Sequence, residues 1–199
     1  MSLKSFPHYQ QQEAADCGPS CLRMIAKYYG KVYSAEMLRK RCFISREGVS
    51  LLGISDAAES IGFHTIGVQI SFKQLAEDAS FPCILHWNQN HFVVCYGIEK
   101  RKRKGEFEYR IHISDPATQR VNLTRKEFEK CWFSSRNSQD ETGVALMLEP
   151  SPNFGSVEDE FHTTKKSLFS FAKYLLPFKS LGLQLIFGLI AGCIIQLIL

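Results

Sequence analysis

The sequence predicts an α+β domain with a helical N-terminal part and an antiparallel sheet, followed by the start of a transmembrane helix. In the first third of the chain, helix-capping residues precede apolar residues at helical spacing. Short apolar segments separated by turn residues follow, as far as residue 150. Residues 180–199 then contain no charged side chain, and about twenty apolar residues suffice for a helix to cross a bilayer.

Three helices are predicted in the N-terminal part. Asp16 can cap a helix over residues 17–29, where apolar side chains recur at helical spacing. A second helix is expected after Ser34, and a third begins after Ser50 and ends at Gly62. Serine before an apolar run is a typical helix start, because its hydroxyl can accept a hydrogen bond from a free backbone N–H group.

Strands dominate the remainder of the domain. The predicted strands are residues 64–70, 83–87, 91–99, 107–114 and 144–148. Ser71 opens a short helix between the first two, and Thr124 with Glu127 forms a capping box for a helix that reaches Trp132. Because helices come first and the sheet afterwards, the order favours an α+β fold over a doubly wound one.

The composition divides the chain into four parts. Residues 1–150 form the α+β domain, and residues 151–164 are a polar linker containing Pro and Gly. Residues 165–179 predict an amphipathic helix at the membrane surface, and residues 180–199 a first transmembrane helix. Lysines just before this helix place the N-terminal side in the cytosol. Since the chain stops within the apolar run, we expect further protein beyond it or a truncated sequence.

Charge and cysteine content exclude several classes of protein. The net charge of +4 is mild, and no stripe of basic and aromatic residues suggests a nucleic-acid partner. Seven cysteines are scattered without a CxxC pair, so neither a zinc ribbon nor a thioredoxin motif is indicated. Several lie inside apolar strings, as free buried cysteines do. We therefore expect a reducing compartment and no metal site.

Cys17 is the first candidate for chemistry. It lies at a predicted helix N-terminus, where the unpaired N–H groups favour a negative charge and hence the reactive thiolate. Gly18 beside it would let a substrate backbone approach closely. The alternative is a buried structural cysteine. Gln11, six residues before Cys17, could donate its side-chain amide to an oxyanion hole together with the Cys17 N–H group.

His91 and Asp115 are the second and third candidates. His91 opens a strand after a polar turn, and Asp115 ends the returning strand with its conformation restricted by Pro116. Because both lie about twelve residues from the hairpin tip between them, pairing of the two strands brings them together. A solvent-exposed turn histidine and an ordinary Asp-Pro turn are the alternatives. His86 competes for the role of base, but lies within a strand.

Three motifs resemble one family. Residues 11–22 (QQEAADCGPSCL) closely resemble the active-site signature of the bacteriocin-processing cysteine peptidase domain of peptidase-containing ABC transporters. Residues 86–94 (HWNQNHFVV) resemble its histidine motif, and residues 114–117 (SDPA) its aspartate motif. The resemblance covers roughly residues 6–150, and Ser20, where alanine is common, is a minor departure.

The resemblance implies a papain-like cysteine peptidase that removes leader peptides after a double-glycine-type site, coupled to export. Matched by position, Cys17 is the nucleophile, His91 the base, Asp115 the orienting residue and Gln11 the oxyanion donor. The implied partners are a precursor peptide with an amphipathic helical leader, the lipid bilayer and the transporter's own membrane and ATPase domains. The resemblance also implies that the full transporter is a dimer. The implied location is the bacterial inner membrane, with the peptidase domain on the cytosolic side.

Two other functions compete with this one. A catalytically silent domain could only bind cargo, but all four matching residues are present. A papain-like acyltransferase or transglutaminase would also use Cys, His and Asp, but the 74 residues from Cys17 to His91 and the membrane segment disfavour it. No GxxxxGK[ST] loop occurs. We therefore expect no cofactor in this chain, with ATP and Mg²⁺ bound only by a downstream ATPase domain.

Overall fold

The structure is a computed structural model, and it describes residues 5–44, 48–103, 106–134, 141–157 and 179–198. Two compact units are present, Met1–Phe161 and His162–Leu199. The predicted amphipathic helix at 165–179 lies outside the described residues except for its last position.

Three helices begin the first unit, as predicted. They are α1 (Cys17–Tyr28), α2 (Ala35–Arg41) and α3 (Leu51–Ser60). Ser34 Oγ accepts a hydrogen bond from the Met37 N–H group at 3.2 Å, and Ser50 Oγ accepts one from Gly53 at 3.0 Å. These two caps fix where α2 and α3 begin, because each satisfies a backbone donor that has no partner within the helix.

A six-stranded antiparallel sheet follows, in the order β1-β6-β2-β3-β4-β5. Its strands are β1 (Phe63–Ser71), β2 (Cys83–Trp87), β3 (His91–Arg103), β4 (Glu106–Ser114), β5 (Arg120–Thr124) and β6 (Thr142–Pro150). Two short helices, α4 (Phe72–Glu77) and α5 (Arg125–Trp132), both start with a capping box. The α+β prediction is confirmed, but β5 was not predicted, because its five residues carry only a short alternation of burial.

Two apolar clusters are built with alternate residues of β3. Phe92, Val94 and Tyr96 belong to a cluster with residues of α1, α2 and α3. Val93 and Cys95 belong to a second cluster with residues of α4 and α5. Successive side chains of a strand point to opposite faces, so β3 is covered on both sides. This explains why residues 92–98 of β3 are continuously apolar rather than alternating.

The first unit extends past the predicted boundary at residue 150. Phe154 packs against Phe63, with ring centroids 4.4 Å apart, and the Ser151 N–H group donates to the Gly62 carbonyl at 2.9 Å. Lys31 Nζ donates to the Gly155 carbonyl at 3.0 Å. Residues 151–157, expected to be a linker, are therefore packed on the domain, while the rest of the predicted linker lies outside the described residues.

The second unit contains one described helix, α6 (Lys179–Ile198). It coincides with the segment predicted to be a transmembrane helix. Within the described ranges, however, none of the helices combines the length and apolar content that crossing a membrane requires. The transmembrane helix is thus not confirmed and stays a prediction.

Candidate active site

Cys17 is the first residue of α1 and is buried, with 4% of its surface exposed. The preceding Asp16 occupies the N-cap position but its side chain does not cap the helix. Instead, Asp16 Oδ2 accepts a hydrogen bond from the Glu13 N–H group at 3.0 Å, and Arg39 Nε lies 2.9 Å from Oδ1. The cap predicted for Asp16 is therefore wrong, since its carboxylate is engaged elsewhere. The first-turn N–H groups of α1 are left without a capping side chain beside Cys17.

Gly18 has a packing role that the sequence did not indicate. A Cβ atom at this position would lie 2.7 Å from Ile54 Cδ1 and 2.7 Å from Val49 Cγ1. Contacts this short essentially never occur for real Cβ atoms. Gly18 therefore permits the start of α1 to pack closely on α3 and the segment before it, and its approach to a substrate backbone stays a prediction.

His91 is placed by the turn between β2 and β3. Asn88 and Gln89 both adopt left-handed conformations, with φ of 47° and 64°, as tight hairpin turns with right-handed strand twist require. His91 pairs with Trp87 as the first residue of β3. His91 Nε2 lies 2.8 Å from Asp115 Oδ1. Because the carboxylate accepts, Nε2 carries the proton and Nδ1 is the ring nitrogen left for another partner.

Asp115 is held in a loop that follows β4. Its Oδ1 atom also accepts from the Ala117 N–H group at 2.9 Å, and its Oδ2 atom accepts from Thr118 Oγ1 at 3.1 Å. Burial alone would raise the pKa of this carboxyl group, but the hydrogen bonds from His91, Ala117 and Thr118 outweigh it, so the pKa is lowered. Asp115 is thus a fixed anion facing His91.

The His91 pKa is raised from 6.5 to about 9. Burial acts in the opposite direction and is the largest single influence, but hydrogen bonds to Asp115 and Cys17 and the charges of both groups exceed it together. His91 therefore interacts with the thiol on one side and the carboxylate on the other. A positively charged imidazole next to a cysteine favours the thiolate, which is the nucleophilic form.

The hairpin of β3 and β4 brings His91 near Asp115. The register between the two strands pairs Val94 with Ser114, the residue before Asp115, and shifts by one residue at Tyr96. The predicted approach of His91 and Asp115 is confirmed by their 2.8 Å contact, but the sequence did not indicate the bulge at Tyr96.

Gln11 belongs to an N-terminal strap, residues 6–11, that lies along the end of β4. The Gln11 N–H group donates to the Pro116 carbonyl at 2.9 Å, next to Asp115. Its side-chain oxygen Oε1 is buried and has no hydrogen-bond partner in the described part of the chain. The main chain of Gln11 is therefore anchored to the loop that carries Asp115.

Sequence reasoning missed the other contacts of the strap. His8 Nδ1 lies 3.0 Å from the hydroxyl of buried Ser114, which in turn contacts Met24 Sδ of α1 at 3.1 Å. Arg120 donates to the Phe6 carbonyl at 3.1 Å. A polar residue at the end of an apolar strand was the available signal for Ser114. It does not reveal a partner more than one hundred residues away in sequence.

The competing side chains are occupied elsewhere. Cys21 is fully buried and donates to the Phe92 carbonyl at 3.3 Å, and burial raises its pKa well above the ordinary value. Burial likewise raises the pKa of Cys42 to about 12. His86 lies within β2 beside Phe92, with ring centroids 5.2 Å apart. Among the described residues, no group of His, Cys, Asp and Glu is arranged to hold a metal ion.

The site thus combines a thiol at a helix N-terminus with a histidine that bonds a fixed carboxylate. A cysteine nucleophile with a base and an orienting group requires this set of side chains. Fold and site define a cysteine peptidase domain. The chain belongs to the Peptidase C39 family, whose model matches residues 5–152.

Relatives and solved structures agree with this assignment. The chain is 31% identical over 164 residues, 82% of its length, to the probable microcin-H47 secretion/processing ATP-binding protein MchF of Escherichia coli. It is 32% identical over 94% of its length to the lactococcin-G-processing and transport ATP-binding protein LagD of Lactococcus lactis. It spans 21% and 24% of these two proteins.

A crystal structure of a double glycine motif protease from an AMS/PCAT transporter, in complex with the leader peptide, is 34% identical to this chain. The alignment covers 73% of this chain and 91% of that protein, with a TM-score of 0.61.

Proposed function

We propose that this chain is a cysteine endopeptidase that removes the leader from precursor peptides after a double-glycine-type site. The observation that carries the proposal is the 2.8 Å bond between His91 and Asp115, with Cys17 as the other partner of His91. The similar protein crystallised with a leader peptide supports the substrate class. We infer that the fold is of the papain-like type, in which a helix N-terminus carries the cysteine.

The reaction proceeds by two acyl transfers. The Cys17 thiolate attacks the carbonyl carbon of the last leader glycine, and the resulting oxyanion accepts hydrogen bonds from the Cys17 N–H group and the Gln11 amide. His91 gives its proton to the departing amine, so the peptide bond breaks and a thioester remains. Water then loses a proton to His91 and attacks the thioester, which releases the leader acid and restores Cys17. Asp115 orients His91 and stabilises its positive charge throughout.

We further propose that the chain is the N-terminal part of an ABC transporter. The relatives named above are ATP-binding secretion or transport proteins, and this chain spans less than a quarter of each. In this setting the peptidase domain lies on the cytosolic side of the inner membrane, and residues 180–199 begin the membrane part. The transporter is a dimer, and its ATPase domains bind ATP and Mg²⁺. This chain takes no cofactor and binds no nucleic acid.

The proposal is tested by incubating the chain with synthetic precursor peptides whose amphipathic leaders end in Gly-Gly. Mass spectrometry of the products should show one cut, after the second glycine. Cys17→Ala should abolish the cut while the circular dichroism spectrum stays unchanged. Cys21→Ala is the matched control, since this cysteine lies one turn away and is buried; it should retain most of the activity.

Two results would count against the proposal. Cleavage by Cys17→Ala at the wild-type rate would show that another group is the nucleophile. Tight binding of the leader by the wild-type chain, without any cleavage, would favour the catalytically silent cargo-binding domain instead.

A further inference from the structure

The segment from Gln11 to Cys17 joins the proposed oxyanion donor to the nucleophile. Its shape depends on a short 3-10 turn, Ala14–Asp16, that leads directly into α1. Glu13 and Asp16 close this turn, since the Asp16 side chain accepts a hydrogen bond from the Glu13 N–H group at 3.0 Å and the Asp16 N–H group donates to the Glu13 carbonyl at 3.0 Å. Any displacement of this turn would move both groups that are to hold the oxyanion.

The Asp16 carboxylate is the charged group closest in sequence to the nucleophile, and it is buried, with 4% of the residue exposed. Its Oδ2 atom accepts from Glu13, whereas Oδ1 accepts no well-aligned hydrogen bond in the part of the chain that the structure describes. A buried carboxylate is costly unless a positive charge lies nearby. An uncompensated anion here would also oppose the thiolate form of Cys17.

Arg39 of α2 supplies that positive charge. Its Nε atom lies 2.9 Å from Asp16 Oδ1, and its Nη2 atom donates to Glu13 Oε2 at 2.9 Å. One guanidinium group therefore contacts the carboxylates of both residues at the ends of the turn. The Arg39 side chain is 34% exposed, so it lies at the edge of the domain and reaches inward to Asp16.

We propose that Arg39 is a positioning residue for catalysis. It acts through Asp16 and Glu13, holds the turn between Gln11 and Cys17 against α2, and compensates the negative charge next to the thiolate. This inference rests on the proposed peptidase function. The planar guanidinium group is suited to the task because it bonds two carboxylates at once, which a lysine ammonium group does with less geometric control.

The first test measures kcat and KM of the full chain on a synthetic precursor peptide with a Gly-Gly leader. Arg39→Ala should lower kcat by about 10- to 100-fold, the scale expected when reacting groups are misplaced by about 1 Å. KM should change by less than about threefold, since Arg39 contacts neither reacting group. Arg41→Ala is the matched control: it lies on the same helix and bonds Ser60 at 3.0 Å, and it should leave both constants unchanged.

The second test asks whether Arg39 acts through Asp16. In an Asp16→Asn background the charge to be compensated is absent, so adding Arg39→Ala should lower kcat by less than about threefold, a non-additive result. Arg39→Lys should fall between wild type and Arg39→Ala. If Arg39→Ala does not fold, Arg39→Lys and Asp16→Asn with Arg39→Lys provide the same comparison.

Three outcomes would overturn the inference: an unchanged kcat in Arg39→Ala, a loss confined to KM, or equal losses in the wild-type and Asp16→Asn backgrounds. Each requires that the wild-type chain cleaves the peptide. Failure of the wild type itself to cleave any of the Gly-Gly peptides contradicts the proposed function instead, so the two failures are distinguishable.

Discussion

His91 shows how a single side chain depends on its two neighbours. Burial favours its neutral form, yet Asp115 and Cys17 reverse this preference and raise the pKa to about 9. The imidazole therefore keeps its proton at neutral pH, which is the state that the proposed protonation of a departing amine requires. The same interactions link the protonation of His91 to the stability of the domain.

Stability should fall between about pH 6.5 and 9 because of His91. The folded state binds the His91 proton more tightly than the unfolded chain, whose pKa is near the ordinary 6.5. This contribution is fully present below pH 6.5 and is lost as the pH rises through about 9. Urea unfolding at several pH values should show this decline in the wild type, and a shallower one in His91→Gln. The exposed His64 offers a control, and a decline that survives in His91→Gln but disappears in His64→Gln would contradict the assignment.

Gln11 should contribute to turnover rather than to binding. Loss of one oxyanion donor typically lowers kcat by about 10²–10³-fold, so we expect Gln11→Ala to act mainly on kcat. The adjacent, exposed Gln12 provides the matched control, and Gln12→Ala should have little effect. An increase in KM with kcat unchanged would mean that Gln11 merely contacts the substrate.

At the level of secondary structure, the contact between α1 and α3 determines where the nucleophile lies. Gly18→Ala would place a methyl group 2.7 Å from Ile54 and from Val49, so α1 or its neighbours must move. Overpacking of this kind costs about 1–3 kcal/mol, and a shifted Cys17 should also lower kcat. Thermal unfolding and peptide cleavage measure the two effects. Gly67→Ala in β1 is the control and should leave cleavage unchanged, because the atom nearest to the added methyl group is 3.8 Å away. A Gly18→Ala variant that unfolds and cleaves like the wild type would contradict the packing argument.

Elements with local signals were predictable from the sequence. The hydroxyls of Ser34, Ser50, Ser71 and Thr124 each cap the helix that follows, and such caps depend on neighbouring residues only. The polar turn that begins at Asn88 likewise predicted where β3 begins. The proximity of His91 and Asp115 could be predicted for the same reason, because one hairpin joins them.

Features that depend on distant contacts were not predictable. The strap from Phe6 to Gln11 and the contact of Arg39 with Asp16 both involve partners far away in sequence. The bulge at Tyr96 depends on a local register that hydrophobic periodicity does not reveal. Asp16 shows the difference, because a local rule predicted that it caps a helix, whereas its carboxylate forms an ion pair with the distant Arg39. The packing role of Gly18 was missed for the same reason, because its neighbours Ile54 and Val49 come from another part of the chain.

For the molecule as a whole, the packed domain continues beyond residue 150. Truncation after residue 150 removes Phe154 from its contacts with Phe63 and Tyr29, which should cost about 1–3 kcal/mol for one aromatic side chain. A chain ending at residue 161, where the first compact unit ends, should be soluble, active and more stable in urea than one ending at 150. If the chains ending at residues 150 and 161 unfold at the same urea concentration, the domain boundary predicted from the sequence is correct.

The central claim, that Cys17 forms a covalent bond with the glycine end of a leader, can be measured directly. The chain is incubated with a synthetic leader peptide whose terminal Gly-Gly carries a chloromethyl ketone. The thiolate displaces chloride to form a stable thioether, which is read by intact mass, and the modified residue is located by peptide mapping. We predict one leader per chain, attached at Cys17 and absent from Cys17→Ala, while Cys21→Ala is labelled like the wild type. Labelling of another cysteine, or cleavage of the precursor by a chain that this chloromethyl ketone neither modifies nor inhibits, would contradict the account.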